Sequence, residues 1–144
     1  MEQGVIIAVS IGDRRGRGKK PVKEIYLEED HGALGDVHAG PGPRQVALLE
    51  WERLREAGEA GLAAGPGDFA ENLLIKDLDF STLEPGTVLK AGEATLAITG
   101  RGKPEWRPGD YSFQGEPLAA RYGLFARVVE SGTARPGDPV AVIG

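Results

Sequence analysis

Apolar residues occur in short runs that are separated by glycine and proline. Residues 4–11 (GVIIAVSI) form a nearly continuous apolar run, which predicts a buried strand. In residues 22–28, Ile25 and Leu27 alternate with polar residues and predict a strand with one buried face. Further strands are predicted over residues 45–49, 72–75, 87–90, 94–99, 125–129 and 139–143. A set of about eight short strands is typical of an all-β barrel or sandwich.

Helices occupy little of the predicted structure. Residues 50–57 (EWERLREA) predict the main helix, because two apolar residues spaced i, i+3 share a face and charged residues cover the rest. A second short helix is predicted over residues 116–122, between a first-turn proline and a terminal glycine. The Pro-Gly pairs at 85–86 and 136–137 each precede an apolar run and predict turns that lead into strands.

Length and charge narrow the function classes. A chain of 144 residues fits one domain spanning residues 1–144. The net charge of −5 argues against a nucleic-acid partner, because such binding depends on neutralising phosphates. No apolar run approaches the roughly 18 residues of a membrane-spanning helix, and the N-terminus has no basic segment before its apolar stretch, so we expect no membrane partner and a cytoplasmic location.

Cysteine is absent from the whole sequence. Disulfides, thiolate metal ligands and cysteine nucleophiles are therefore excluded. The two histidines, His31 and His38, also argue against a zinc site of several histidines.

A basic stretch over residues 14–20 (RRGRGKK) places five positive charges in seven residues of an acidic protein. It is either a loop that binds an anion or a solvated tip between two strands.

The glycine-rich stretch over residues 32–45 carries Asp36, His38, Arg44 and Gln45. Asp36 and His38 are two residues apart, so an extended backbone would let them form a carboxylate–imidazole pair. Such a pair serves catalysis, ligand binding or the pinning of the loop itself.

Two further stretches carry polar candidates. In residues 67–73 (GDFAENL), Asn72 and Glu71 either recognise the edge of a pterin-like heterocycle or satisfy backbone groups at a strand start. In residues 99–110 (TGRGKPEWRPGD), Lys103 and the neighbouring Trp106 either bind a phosphate and a ring or cover one end of the barrel.

Taken in order, these stretches resemble the MOSC domain family. The resemblance rests on GDVHAG at 35–40, RQVALL at 44–49, PGDFAENL at 66–73, the segment 83–99, GK at 102–103 and the segment 123–138. It implies a mainly β fold, a MOSC-type β-barrel of mostly antiparallel strands with a few short helices. It also implies a cleft for the molybdenum cofactor (molybdopterin), an anionic pterin, with a molybdoenzyme as a further partner and a family-level association with pyridoxal phosphate. The cofactor-binding candidates are Asp36, His38, Arg44, Gln45, Glu71, Asn72 and Lys103.

The sequence departs from this family at the cysteine that carries sulfur. That register falls on Glu105, two residues after the GK pair. A persulfide needs a sulfur nucleophile, so the resemblance predicts cofactor binding without sulfur transfer. The alternatives are a cleft for another anionic ligand, a reaction in which Glu105 is a general base, and a barrel that docks on a protein partner.

Overall fold

The computed structural model describes residues 3–14, 17–102 and 122–144. Within these ranges the elements are β1 (Gln3–Ile11), β2 (Lys20–Val22), β3 (Ile25–Glu28), β4 (Gly32–Ala33), β5 (Val46–Glu50), α1 (Trp51–Glu59), β6 (Leu73–Lys76), a 3₁₀ helix (Phe80–Thr82), β7 (Val88–Ala91), β8 (Ala94–Arg101), β9 (Leu124–Glu130), β10 (Gly132–Ala134) and β11 (Pro139–Val142).

Seven of the strands close into a barrel. Their order is β11-β7-β8-β9-β5-β6-β1, and the pairing of β1 with β11 completes the circle. All neighbours are antiparallel except β5 and β6, which are parallel. β2 extends the sheet beyond β1, and β10, β3 and β4 form a second small sheet. The predicted mainly β barrel of mostly antiparallel strands is confirmed.

Alternation along the strands fills the barrel with apolar side chains. Leu89, Leu96 and Val128 are fully buried within one cluster that runs through the interior. A smaller cluster, which includes Leu54 of α1 and Phe69, packs on the outer side of the barrel. The interior is therefore a packed core, so ligand chemistry has to be sought at the ends of the barrel.

The predicted strands are present with small shifts at their ends, and one of them is divided. Residues 22–28 form two strands, β2 and β3, because Val22 pairs with Val9 of the barrel whereas Ile25 pairs with Ala134 of the small sheet. The exchange of partners takes place at Lys23, and a single alternating pattern cannot reveal it.

The predicted main helix and both Pro-Gly turns are confirmed. In the turn before β7, Gly86 has φ 94° and Thr87 donates its N–H to the Glu84 carbonyl at 3.0 Å. The turn before β11 repeats this geometry, with Gly137 at φ 92°. The helix predicted over residues 116–122 falls almost entirely on residues 103–121, outside the described part of the chain.

Three loops meet at one end of the barrel, which we call the rim. β1 is antiparallel to β6 and β5 is parallel to β6, so the end of β1 and the starts of β5 and β6 lie together. The described residues of the rim loops are 12–14, 17–19, 34–45 and 65–72. They include residues from three of the four stretches in which the sequence predicts candidate binding residues.

Candidate functional site

A buried ion pair ties two rim loops together. The Asp36 carboxylate accepts a hydrogen bond from the Lys19 ammonium at 3.0 Å, and both side chains are almost completely buried. The same carboxylate accepts the backbone N–H of Gly12 at 2.8 Å and that of His38 at 3.2 Å. Asp36 therefore holds the loop after β1 against the glycine-rich loop.

These contacts favour the loop-pinning interpretation of the Asp36–His38 spacing. Asp36 contacts His38 through the backbone N–H of that residue. Its other hydrogen bonds reach Gly12 and Lys19, which are remote in sequence. The Asp36 carboxylate thus accepts hydrogen bonds that hold the rim loops together.

Lys19 differs from the other cations of the basic stretch. Its side chain is buried, and its backbone N–H donates to the Gly67 carbonyl at 2.7 Å. Burial lowers the pKa of Lys19, and the adjacent Asp36 carboxylate opposes this change. Lys19 therefore belongs to the interior, whereas Arg14, Arg17 and Lys20 remain exposed and leave both interpretations of the stretch open.

Asn72 connects three strands at the start of β6. Its side-chain oxygen accepts the Ala47 N–H at 3.0 Å, and its amide nitrogen donates to the Ser10 carbonyl at 3.1 Å. Its backbone also bonds to both of these residues. Both ends of the amide are occupied, as expected for the alternative in which Asn72 satisfies backbone groups at a strand start.

Glu71 carries a buried side-chain oxygen that has no hydrogen-bond partner among the described residues. Its Oε2 accepts the Gly67 N–H at 2.7 Å, whereas Oε1 is buried and has no hydrogen-bond partner among the described residues. Burial raises the pKa of Glu71 to about 7, although the backbone N–H groups of Gly67, Phe69 and Glu71 itself favour the ionised form.

Gln45 and Arg44 are neighbours with different environments. The buried Gln45 side chain accepts the Val128 N–H through Oε1 at 3.0 Å, so it joins β5 to β9. Arg44 is exposed, and its guanidinium lies over the Phe125 ring at 4.8 Å. The Thr99 hydroxyl donates to the Pro43 carbonyl and holds the backbone just before Arg44.

Arginines at the rim lack the partners that arginines elsewhere have. Arg53, Arg55, Arg101, Arg127 and Arg135 each form an ion pair with a carboxylate. Across the described ranges, the remaining arginines have no carboxylate within ion-pair distance, and all of them lie on the rim loops. They are Arg14, Arg17 and Arg44. A group of unpaired cations on an acidic protein is able to bind an anion.

Some predicted site residues remain without a structural description. Lys103 and Glu105 lie outside the described residues.

Residues 3–14, 17–102 and 122–144 contain no group of three histidine, aspartate or glutamate side chains placed to hold a metal ion. The helices in those ranges are also too short or too polar to cross a membrane.

Comparison with known proteins shows the family. The MOSC domain model matches residues 35–141. No curated protein matches the chain significantly. The solved structure of the YuaD protein from Bacillus subtilis is similar with a TM-score of 0.74 and 19% identity, over 96% of this chain and 94% of that chain. The structure of YiiM from Escherichia coli has a TM-score of 0.69 and 22% identity, over 99% of this chain and 70% of that chain. The structure of YiiM from Geobacillus stearothermophilus has a TM-score of 0.64 and 17% identity, over 98% of this chain and 73% of that chain.

At these identities the solved structures support the fold alone, whereas the domain match covers most of the chain. Its matched residues include the glycine-rich loop, the start of β6 and the strands β5 to β10. The chain therefore belongs to the MOSC domain family.

Proposed function

We propose that this protein binds an anionic pterin of the molybdenum-cofactor class at the rim and does not transfer sulfur through a persulfide. The observation that carries the proposal is that the described residues offer no carboxylate partner to the rim arginines Arg14, Arg17 and Arg44. The net charge of −5 makes such a set unusual, because carboxylates are abundant elsewhere on the chain.

Arg44 has a geometry that suits a phosphate. One face of its guanidinium rests on Phe125, which restricts the orientation of the side chain. The N–H donors in the guanidinium plane have no acceptor among the described residues. A planar fork that is held in this way is ready to bind a phosphate group through two hydrogen bonds.

The residues fit the anionic part of the ligand better than its ring. Asn72 and Gln45 already use their side-chain oxygens on backbone N–H groups, so these amides are poorly placed to read a pterin edge. Asp36 and Lys19 neutralise one another in the interior. In this proposal the arginines bind phosphate, and the buried polar residues shape the loops that carry them. The redox chemistry of a molybdenum cofactor resides in the group itself, and this chain's residues bind and orient it.

Sulfur transfer is excluded from the proposal by composition. The sequence contains no cysteine, and the thioether of its single methionine cannot form a persulfide. The proposed role is that of a carrier, store or delivery partner for a molybdoenzyme.

A titration with metal-free molybdopterin, followed by pterin fluorescence under anaerobic conditions, tests the proposal. We expect saturable binding to the wild-type protein. Arg44→Ala should weaken binding about tenfold or more, because a charge-assisted bidentate contact contributes roughly 1.5–3 kcal/mol. Arg55→Ala is the matched control, since Arg55 also lies over an aromatic ring, that of Trp51 at 5.2 Å, but on α1.

The outcomes separate the candidate ligands. Saturation by molybdopterin with equal affinity for the wild type and Arg44→Ala would remove Arg44 from the site. Failure of the wild type to bind would overturn the pterin assignment. Inorganic phosphate and pyridoxal phosphate, titrated in parallel, provide the comparison for another anionic ligand, because the arginines recognise the phosphate in each case.

A further inference from the structure

Glu71 is linked through Gly67 to the rim loop that carries Lys19. Its Oε2 accepts the Gly67 N–H at 2.7 Å, and the Gly67 carbonyl accepts the Lys19 N–H at 2.7 Å. One residue therefore connects the buried carboxyl group to the loop on which Arg17 is exposed. A change in the charge of Glu71 acts directly on the contact that positions this loop.

Among the described residues, Glu71 forms an ion pair with no lysine or arginine. Lys19 carries a positive charge that interacts with Glu71, and it is already paired with Asp36 at 3.0 Å. Asp68, in the same loop as Glu71, adds a negative charge that disfavours ionisation. An ionised Glu71 is thus a second buried carboxylate beside a single ammonium group.

The geometry of the carboxyl group agrees with this charge count. Glu71 is 1% exposed, and its Oε1 has no donor among the residues that the structure describes. A buried carboxylate oxygen with no donor favours the protonated form, and the effect of burial on Glu71 exceeds the opposing effect of the backbone N–H groups. Burial raises the pKa of Glu71 to about 7, so both forms are populated near neutral pH.

An anion bound at the rim changes this balance. It adds negative potential at the loop that Gly67 connects to Glu71, and this raises the pKa of a carboxyl group that already resists ionisation. By linkage, a ligand that raises the pKa of a group binds more tightly to its protonated form. Affinity is then highest below the pKa of the ligand-free protein, and it decreases as pH rises towards the pKa of the complex.

We propose that Glu71 is the proton-linked group of the rim: an anionic ligand binds together with a proton at this carboxyl group, and affinity falls as pH rises through neutrality. The inference rests on the proposed function, because it concerns the same site. It adds a regulatory link between pH and ligand release.

Calorimetric titration with metal-free molybdopterin at pH 7, in several buffers of different ionisation enthalpy, measures the protons taken up on binding. Glu71→Gln keeps an acceptor for the Gly67 N–H but cannot titrate. We expect the wild type to take up as much as about half a proton more than Glu71→Gln, because a group with a pKa near 7 is about half protonated before binding. Protons bound by the ligand itself are common to both proteins and cancel in the difference.

Glu28→Gln, which removes an exposed carboxylate of β3, is the control and should keep the wild-type proton uptake. Equal uptake by the wild type and Glu71→Gln would overturn this inference and leave the proposed function standing. Absence of binding heat and of a fluorescence change in the wild type would overturn both.

A second measurement does not depend on the folding of a variant. The ¹³C chemical shift of the Glu71 carboxyl group in the wild type reports its titration directly. Its midpoint should move to higher pH in the presence of saturating molybdopterin. An unchanged midpoint in the saturated complex would contradict the inference.

Discussion

The two ends of the barrel use arginine in opposite ways. At the end where β6 finishes, Arg101 donates to the carbonyls of Phe80, Ser81 and Leu83 at 2.9, 3.1 and 3.2 Å. It fixes the 3₁₀ helix, whose Phe80 is buried in the core. At the rim, Arg44 rests on a ring and has no acceptor among the described residues. The same side chain is structural where carbonyls surround it and is available for a ligand where they do not.

The two ends of the barrel also differ in how deeply their ionisable side chains are buried. Near the 3₁₀ helix, the half-buried Glu50 carboxylate accepts the Phe80 N–H at a long 3.5 Å and approaches Arg53 at 3.8 Å. At the rim, Lys19, Asp36 and Glu71 are buried together. The rim therefore has three titratable groups in its interior, and we expect it to be the more sensitive end to substitution and to pH.

The largest expected effect comes from breaking the buried ion pair. Lys19→Met leaves the Asp36 carboxylate buried without its ammonium partner and should lower the free energy of unfolding by about 3–5 kcal/mol. Lys20→Met, the exposed neighbour, should change it by less than about 0.5 kcal/mol. Urea denaturation measures both. Equal losses for the two variants would show that the pair does not stabilise the rim.

A pair of glycines tests how closely the rim loops pack. Gly67 has φ 86°, and a methyl group there would collide with the Lys19 carbonyl, so Gly67→Ala should cost about 3 kcal/mol. Gly86 has φ 94° with no atom within 4 Å of an added methyl group, so Gly86→Ala should cost only the backbone strain of about 1–2 kcal/mol. Thermal unfolding should rank them in this order. The reverse order would argue against the contact between residues 67 and 19.

The pH dependence of stability isolates Glu71. Its pKa is raised from 4.5 to about 7 in the folded protein, so the folded state holds a proton that the unfolded state has released. Folding stability should therefore decrease as pH rises from about 4.5 to 7, by roughly 2–3 kcal/mol in the wild type relative to Glu71→Gln. Urea denaturation at a series of pH values measures the difference, and parallel curves for the two proteins would contradict it.

The smallest effects on stability compare the two arginines. Arg101→Ala should lower the free energy of unfolding by about 2 kcal/mol, because it removes charge-assisted hydrogen bonds from three carbonyls. Arg44→Ala should lower it by only about 0.5–1 kcal/mol, the size of an exposed cation–π contact. A larger loss of unfolding free energy for Arg44→Ala than for Arg101→Ala would contradict the view that Arg101 stabilises the fold and Arg44 contributes little to it.

Local pattern was enough to predict most of the strands. The alternation of Ile25 and Leu27 with polar residues predicts their burial correctly, because side chains on a strand point to alternate faces. The division of this segment between two sheets was missed, since both halves keep a compatible alternation. Register and partner choice depend on Val9 and Ala134, which are distant in sequence.

The candidate site was predicted as a set of stretches, and the roles within it were not. Nothing in the run RRGRGKK distinguishes Lys19 from Lys20, yet one is buried and the other exposed. The deciding partner is Asp36, 17 residues further along the chain. Asn72 was a candidate for either ligand recognition or backbone support, and only the positions of Ser10 and Ala47 favour the second.

By itself the sequence determined a mainly β fold through local periodicity, the family resemblance and the barrel that it implies through ordered motifs, and the absence of a sulfur carrier through composition. The tertiary structure alone decided which charges are buried, which arginines have no carboxylate partner among the described residues, and which carboxyl group has a pKa raised to about 7 by burial. These properties depend on burial and on partners from other strands, so they arise only when the rim loops come together.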